Sequence, residues 1–591
     1  MRRLLTVIQR FFGTDLPARV LPLQFVLPKL SGRVEASNSS DGDLNRQLDE
    51  AKDRPQEYFR VLLAEIKHVN RCSLKTQQRL TLTRDIVKLY YPMALAQIAR
   101  HAKTGGIPED EDRKQTLNQL VDIAQILITS YQILFAFYYG SSNYKYARAR
   151  DTVLECASRI FELMQLKQQA RALRYQLLAE QDWQVANTLF YVLSRYEDVE
   201  QPLPTLKQEL ELGGSRTDVC LSEHYSCLQM VARFDMLRWP THLQWIIIGY
   251  LQGVEQAVQI RTDEGGSKLG RDELIAYCYG GQQACGQMLD SPPGPAMIFN
   301  CSGLNNAIRK DCMGLMQANR DGSAIPPRFA RLPGAEHFVI SDQLLRGVES
   351  LAGDACTEKE TRVEDLRIFV GFAEVFSLLR HKQGLYGSED RLADMLAKRS
   401  ALLAEDHIAT EKSVWTLLFQ NEKMIRLSTQ ETSFTTPMSI GSLVAYGVGE
   451  DIARPSLAVV SRIYRPSHKV VVIDMNSIAN YAEAVTMTVN ATEQTQSGMT
   501  QAKPALLVYN KKRLGGWGLM FPPMDILPGF DKLAMRRNKQ EFAISLENRC
   551  NATTDFYLFS TPSLSAQLGI AGEPDYATPP ARKMHSPGWL I

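Results

Sequence analysis

Along residues 45–260, apolar positions recur at three- and four-residue steps. Tyr58, Val61, Leu62, Ile66 and Val69 form one such stripe, the spacing an amphipathic helix needs to bury one face. Further helical patterns cover roughly 73–103, 113–139, 143–178, 184–210 and 218–259. Gly105-Gly106-Ile107-Pro108 and Gly213-Gly214 punctuate the junctions. Short breaks between long helices favour antiparallel neighbours, so this region predicts an α-helical bundle or short array.

The rhythm changes twice afterwards. Residues 263–335 are interrupted by Glu264-Gly265-Gly266, Ser291-Pro292-Pro293-Gly294-Pro295 and Pro326-Pro327, with Ala296–Asn300 as a short strand. Helices resume near 338–352 and 361–383. From about 411, short runs rich in Val, Ile, Thr and aromatics alternate with turn residues. They are Val414–Phe419, Leu443–Val448, Leu457–Arg465, Val470–Met475, Val485–Val489, Ala505–Tyr509 and Glu541–Leu546. Pro466–Lys469 is a hairpin loop between two of them. Short strands at this spacing predict a compact antiparallel barrel or sandwich. The resulting fold class is α+β and multidomain. Its parts are an N-terminal segment and linker (1–44), a helical domain (45–260), a mixed connecting region (261–410), a small β-barrel (411–571) and a loose tail (572–591).

Composition narrows the function without naming it. The chain has 591 residues, 45% hydrophobic and 22% charged, with a formal net charge of +2. That balance gives no chain-wide attraction to nucleic acid. The ten cysteines include no C-x-x-C pair, a usage expected of reduced thiols in a cytoplasmic protein. The start, Met1-Arg2-Arg3-Leu4-Leu5, is soon broken by Gln9, Arg10 and Asp15, so a short amphipathic helix through Phe12 is expected rather than a signal peptide. Val121–Tyr139 is the most apolar stretch, but its Asp122 and several amides and hydroxyls suit a buried bundle helix better than a membrane span.

No phosphate loop, H-E-x-x-H or G-x-S-x-G is present. Gly515-Gly516-Trp517-Gly518 reads as a turn because no strand-then-helix context surrounds it. Cys220, His224 and Cys227 share a helix face and are suitable zinc ligands, but no fourth ligand is nearby in sequence. Buried thiols are the plainer reading there, and for Cys278 and Cys285. Glu109–Asp112 after Pro108 is expected to open a helix, where the dipole favours negative charge. Lys511-Lys512-Arg513 and Arg536-Arg537 are expected at turns between strands.

The β-rich third resembles the PilZ domains at the end of large bacterial proteins with helical N-terminal regions. The resemblance runs through Val370–Val375 with a helix to His381, Trp415–Glu422, Ile440–Ala445 and Leu457–Arg465, about 200 residues. It implies a six-stranded barrel and a link to cyclic di-GMP, bound by an R-x-x-x-R segment before the first strand and a [D/N]-x-S-x-x-G motif after it. Arginine offers a planar fork to phosphates and guanines, and the glycine lets the ligand approach the backbone. Only Asn421 matches the second motif. Lys423 stands in the serine position and Arg426 in the glycine position, and no R-x-x-x-R lies between Leu385 and Trp415. The candidate ligand residues are therefore Asn421, Arg426, Arg462 and Arg465, in a motif degenerate enough to predict loss of the nucleotide.

Three functions stay open on the sequence. The first is a non-enzymatic regulatory or scaffold protein whose helical region binds a protein partner, with no cofactor and no nucleic acid. The second is an enzyme with a site assembled through space in 263–335, near Cys301 and Cys312. The third is a single-strand nucleic-acid binder using Arg462, Arg465, Lys511, Lys512 and Arg513 with Tyr464, Tyr509 and Trp517 as stacking aromatics.

Overall fold

The computed structural model describes residues 25, 27, 30, 41–107, 109–140, 147–196, 199–212, 218–263, 268–278, 283–286, 294–330, 332, 334–349, 361–363, 366–382, 415–420, 424–430, 437–448, 455–467, 469–489, 501–523, 533–537, 540–546, 549–553, 555–561 and 564–568. The expected helix through Phe12 and the tail 572–591 lie outside the described residues. The chain forms two compact units. One is Met1–Gly105, Glu109–Met236 and Thr241–Gly353; the other is Gly106–Pro108, Leu237–Pro240 and Asp354–Ile591. The coarse α+β class is as expected, with helices mostly in the first unit and antiparallel strands dominating the second.

In the first unit, helices cover Asp41–Ala51, Pro55–Arg71, Thr76–Ala102, Glu111–Tyr139, Ala147–Leu173, Glu180–Tyr196, Leu221–Arg233 and Thr241–Leu251. The first of these begins inside the stretch expected to be linker. Glu111–Tyr139 starts as its acidic run predicts: Asp110 accepts a hydrogen bond from the Arg113 amide, and Glu111 and Asp112 occupy the first turn. By length and composition it is apolar enough to cross a membrane, and 61% of its most apolar window is buried in the unit. Ala147–Leu173 is buried almost all round from Val153 to Ala170. Several of its buried polar side chains are matched across the bundle. Gln165 and Gln168 donate to the carbonyls of His224 and Leu228, one helical turn apart on Leu221–Arg233, at 2.9 and 3.1 Å.

Two expected helices are shorter than the sequence suggests. The pattern over 184–210 stops at Tyr196. Pro202 and Pro204 cannot supply helix amides, and Leu203–Pro204 pairs instead with Asp218–Val219. The pattern over 218–259 splits at Arg233. Pro240 stands at the break, preceded by the 3-10 turn Met236–Arg238. Past it, Ala296–Asn300 is a strand, as expected, and lies between Gln259–Asp263 and Glu273–Tyr277. Asn187 ties this small sheet to the helices. Its amide donates to the carbonyls of Tyr277 and Gln283 and its oxygen accepts from Tyr225 and Gln229. All its hydrogen-bonding capacity is used, which is what makes a buried amide tolerable.

The second unit departs most from expectation. Two seven-stranded antiparallel sheets stand where one small barrel was predicted. The first runs Thr361–Val363, Trp415–Gln420, Met424–Gln430, Val470–Ala479, Ser456–Tyr464, Leu443–Val448, Leu366–Val370. The second runs Gln540–Ile544, Leu533–Arg537, Tyr481–Val489, Gln501–Asn510, Gly516–Phe521, Tyr557–Ser560, Arg549–Ala552. The helix expected over 361–383 is thus two strands followed by a helix, Phe372–Lys382. The β-branched and aromatic run Ile368-Phe369-Val370 pairs with Val444–Tyr446 instead of coiling.

The outer strands of each sheet are neighbours in sequence, and this fixes the shape. A flat seven-stranded sheet would hold its edges about 29 Å apart, at ~4.8 Å per strand. The three residue steps from Val363 to Leu366 span at most about 11 Å, and the five from Ile544 to Arg549 at most ~18 Å. Both sheets must curl into open barrels, each seamed at one interrupted strand. Counting that strand once leaves six strands per sheet. Numbered along the chain, both follow the circular order 1-2-3-6-5-4.

Burial follows the strand alternation. Val485, Met487, Ala505, Leu507, Trp517, Leu519, Leu533 and Met535 form the core inside the second sheet. Intervening residues on its other face, Ala484, Leu506, Val508 and Met520, pack with Leu443, Leu457 and Val459 of the first sheet and with Phe372, Val375, Phe376 and Leu379 of the helix. Each buried Val, Leu, Phe or Met among them contributes roughly 1.5–3 kcal/mol by leaving water.

Candidate ligand-binding face of the first curled sheet

Arg426 holds the sixth position, the glycine position, of the degenerate motif Asn421–Arg426. It lies inside the strand Met424–Gln430. Ile425, Leu427 and Thr429 face the buried side, opposite Met475, Ile473 and Val471. Arg426 points the other way and faces Asp474 directly across the ladder. The pair is bidentate: Nε to Oδ1 is 2.6 Å and Nη2 to Oδ2 is 3.1 Å. The Asp474 side chain is only 6% exposed. A planar fork meeting a carboxylate with two bonds is the strongest ordinary form of this contact, so this guanidinium is already committed.

The next strand brings Arg462 opposite the same Asp474. Its guanidinium sits over the Tyr464 ring, 5.6 Å from the centroid, a favourable cation–π geometry. Arg426, Asp474 and Arg462 thus make a row across three strands. Arg465 is not an open ligand for a nucleotide, being 3% exposed. Asn421 and Lys423 lie outside the described residues. The structure therefore sets two of the four expected residues, Arg426 and Arg462, on the strands either side of an acid that the sequence pattern did not single out. Its signal was there: Asp474 is the single charge in the apolar run Val470–Met475.

The other candidate chemistries find less support in the geometry. Tyr509 and Trp517 are core residues rather than a stacking platform; Trp517 is 0% exposed, with its ring edge-on to Tyr509 at 5.1 Å. Lys511–Leu514 is a helical turn between strands, as expected of that basic run. Cys301 and Cys312 are buried, and burial raises both thiols, Cys301 to about 11. Both stay protonated near neutral pH, the wrong state for a nucleophile. Cys220 occupies the N-cap of Leu221–Arg233, where its amide donates to Glu223, 3.0 Å away. Among the described residues no group of three or more His, Cys, Asp or Glu side chains is placed to hold a metal.

A feature with no sequence signal lies in the helical unit: a cavity of about 590 Å³ between Thr76–Ala102, Ala147–Leu173 and the segment around Leu203–Glu209. Its charged lining residues are far apart in sequence, so only the folded chain assembles them. No protein-family model, curated protein or solved structure matches this chain.

Proposed function

We propose that this is a non-enzymatic regulatory or scaffold protein of PilZ-like build, acting in the cytoplasm, whose first curled sheet has lost cyclic di-GMP binding. Its helical unit is the surface for a protein partner. The six-strand count of each sheet is compatible with the barrel that the family resemblance implies. The observation carrying the loss is the bidentate Arg426–Asp474 pair. The residue in the motif's glycine position brings bulk where a ligand needs room, and its charge is already neutralised.

Isothermal calorimetry of the full chain with cyclic di-GMP tests this reading. No saturable heat is expected. Binding in the micromolar range or tighter would overturn the lost-ligand reading and make the sheet a working receptor.

A further inference from the structure

The cavity in the helical unit has a lining with a definite chemical character. At about 590 Å³ it falls within the range of small-molecule sites. Thr76–Ala102 presents Arg84 and Lys88 to it, one turn apart; Ala147–Leu173 presents Asp151 and Glu155, also one turn apart. A cationic wall and an acidic wall therefore come from different helices. Arg84 and Glu155 bridge them with two bonds of 2.8 and 2.5 Å. Lys88 and Asp151 are exposed on the same walls, and Lys88 stands 3.6 Å from Asp85.

Arg159 also lines the space, but its charge is spent. It donates to Glu162, Glu209 and the Pro204 carbonyl at 2.5, 2.5 and 3.1 Å. Glu162 in turn accepts from the Leu206 amide at 2.8 Å. This pair fastens the segment Pro204–Glu209 along the cavity. Counting Arg84, Lys88 and Arg159 against Asp151, Glu155 and Glu209, the lining carries three cations and three carboxylates. Such a balance disfavours a phosphate or any other purely anionic ligand, and equally a bare cation.

Ser158 supplies the second observation. It is 1% exposed, lines the cavity, and its hydroxyl has no partner among the described residues. A serine within a helix ordinarily bonds back to its own helix, as Thr152 of the same helix does to the Arg148 carbonyl at 2.9 Å. A buried hydroxyl left without a partner costs about 1–3 kcal/mol unless something else occupies the space. Val87, Leu203 and Leu206 add an apolar side to the lining.

The geometry points to a binding site for an apolar zwitterion, an aliphatic amino acid or short peptide. Its carboxylate faces Lys88 and its ammonium faces Asp151, beside the Arg84–Glu155 pair, and Ser158 hydrogen-bonds to it. This inference does not rest on the barrel reading, since every residue in it belongs to the helical unit.

Calorimetry of the full chain with L-leucine and with L-leucyl-L-leucine tests it, one arm for each source of the same chemistry. Saturable binding of at least one is expected. For the probe that binds, the C-terminal amide and the N-acetyl derivative should each weaken affinity at least about tenfold, because each removes one charge. Lys88→Gln and Asp151→Asn change exposed side chains and should leave the melting temperature unchanged while weakening binding several-fold. Ser158→Ala should do the same if it folds. Absence of saturable heat with both probes at millimolar concentration overturns the proposal. So does binding that is indifferent to the capped derivatives or to Lys88→Gln and Asp151→Asn. Neither result bears on cyclic di-GMP, which is measured separately.

Discussion

The helical unit and the curled-sheet unit treat charge in opposite ways. The helical unit takes ion pairs into its interior. Arg159–Glu162, Lys167–Asp182 and Arg174–Glu109 have side-chain exposures of 2–7%. The core inside the second curled sheet is built from side chains such as Met487, Leu507, Trp517 and Leu519. The sheet unit's pairs Arg426–Asp474 and Arg537–Glu483 leave 18–19% of at least one partner exposed. The difference follows from geometry. A helix buried all round, such as Ala147–Leu173, must bury polar side chains wherever its sequence has them, and each then needs a partner. A strand alternates and can direct every second residue away from the core. Buried pairs make the helical unit fragile to single losses. The sheet unit depends on packing.

The largest effect tests the fragile side of the contrast. Arg159→Met strands the Glu162 carboxylate in the interior, and a loss of about 3–5 kcal/mol is expected, read as a lower denaturant midpoint for the helical unit. Adding Glu162→Leu should recover a large part of it, because an apolar pair of similar volume needs no compensation. A single variant as stable as the parent would break the contrast. An intermediate effect is expected in the first sheet. Asp474→Asn removes the carboxylate from Arg426, whose head can still reach water, so about 1–3 kcal/mol is expected in thermal or denaturant melts of the sheet unit. A larger loss than that of Arg159→Met would reverse the ranking.

The smallest effect is a pH dependence in the sheet unit. Asp555 accepts from the amides of Phe372 and Leu443 at 3.2 and 2.7 Å. Burial raises its carboxyl above the usual 3.8, although the two amides pull the other way. The folded chain therefore holds the proton more tightly than the unfolded chain does. The associated stability is fully present below pH 3.8 and fades as pH rises through the raised folded value. Carboxyl-carbon NMR should show Asp555 titrating above 3.8, and Asp555→Asn should flatten this part of the stability profile. A midpoint below 3.8 would mean that the two amides outweigh burial.

These contrasts were partly legible in the sequence. Helices announced themselves through three- and four-residue stripes, but two of them end at Tyr196 and Arg233, short of the patterns that Pro202 and Pro240 interrupt. Strands with strong β formers, such as Val470–Met475, were also plain. Met424–Gln430 was missed although Ile425, Leu427 and Thr429 alternate correctly, because a ligand-binding motif was laid over its first residues. Gly516–Phe521 was missed because its glycines read as a turn. Gly515, at φ +69°, does turn the chain, but Gly518 is in the strand. A side chain there would stand 2.9 Å from the Phe559 carbonyl oxygen. The row of Arg426, Asp474 and Arg462 and the cavity walls were out of reach, since each depends on residues brought together from distant parts of the chain.

The interrupted strands have a consequence for how this protein behaves in a crowded solution. An open sheet ends in rows of unpaired amides and carbonyls that can recruit further chains edge to edge. Here the terminal strands are only three to five residues long, Thr361–Val363 and Leu366–Val370 in one sheet, Gln540–Ile544 and Arg549–Ala552 in the other. Because each pair is joined by a few residues, neither rim extends far enough to template a fibril.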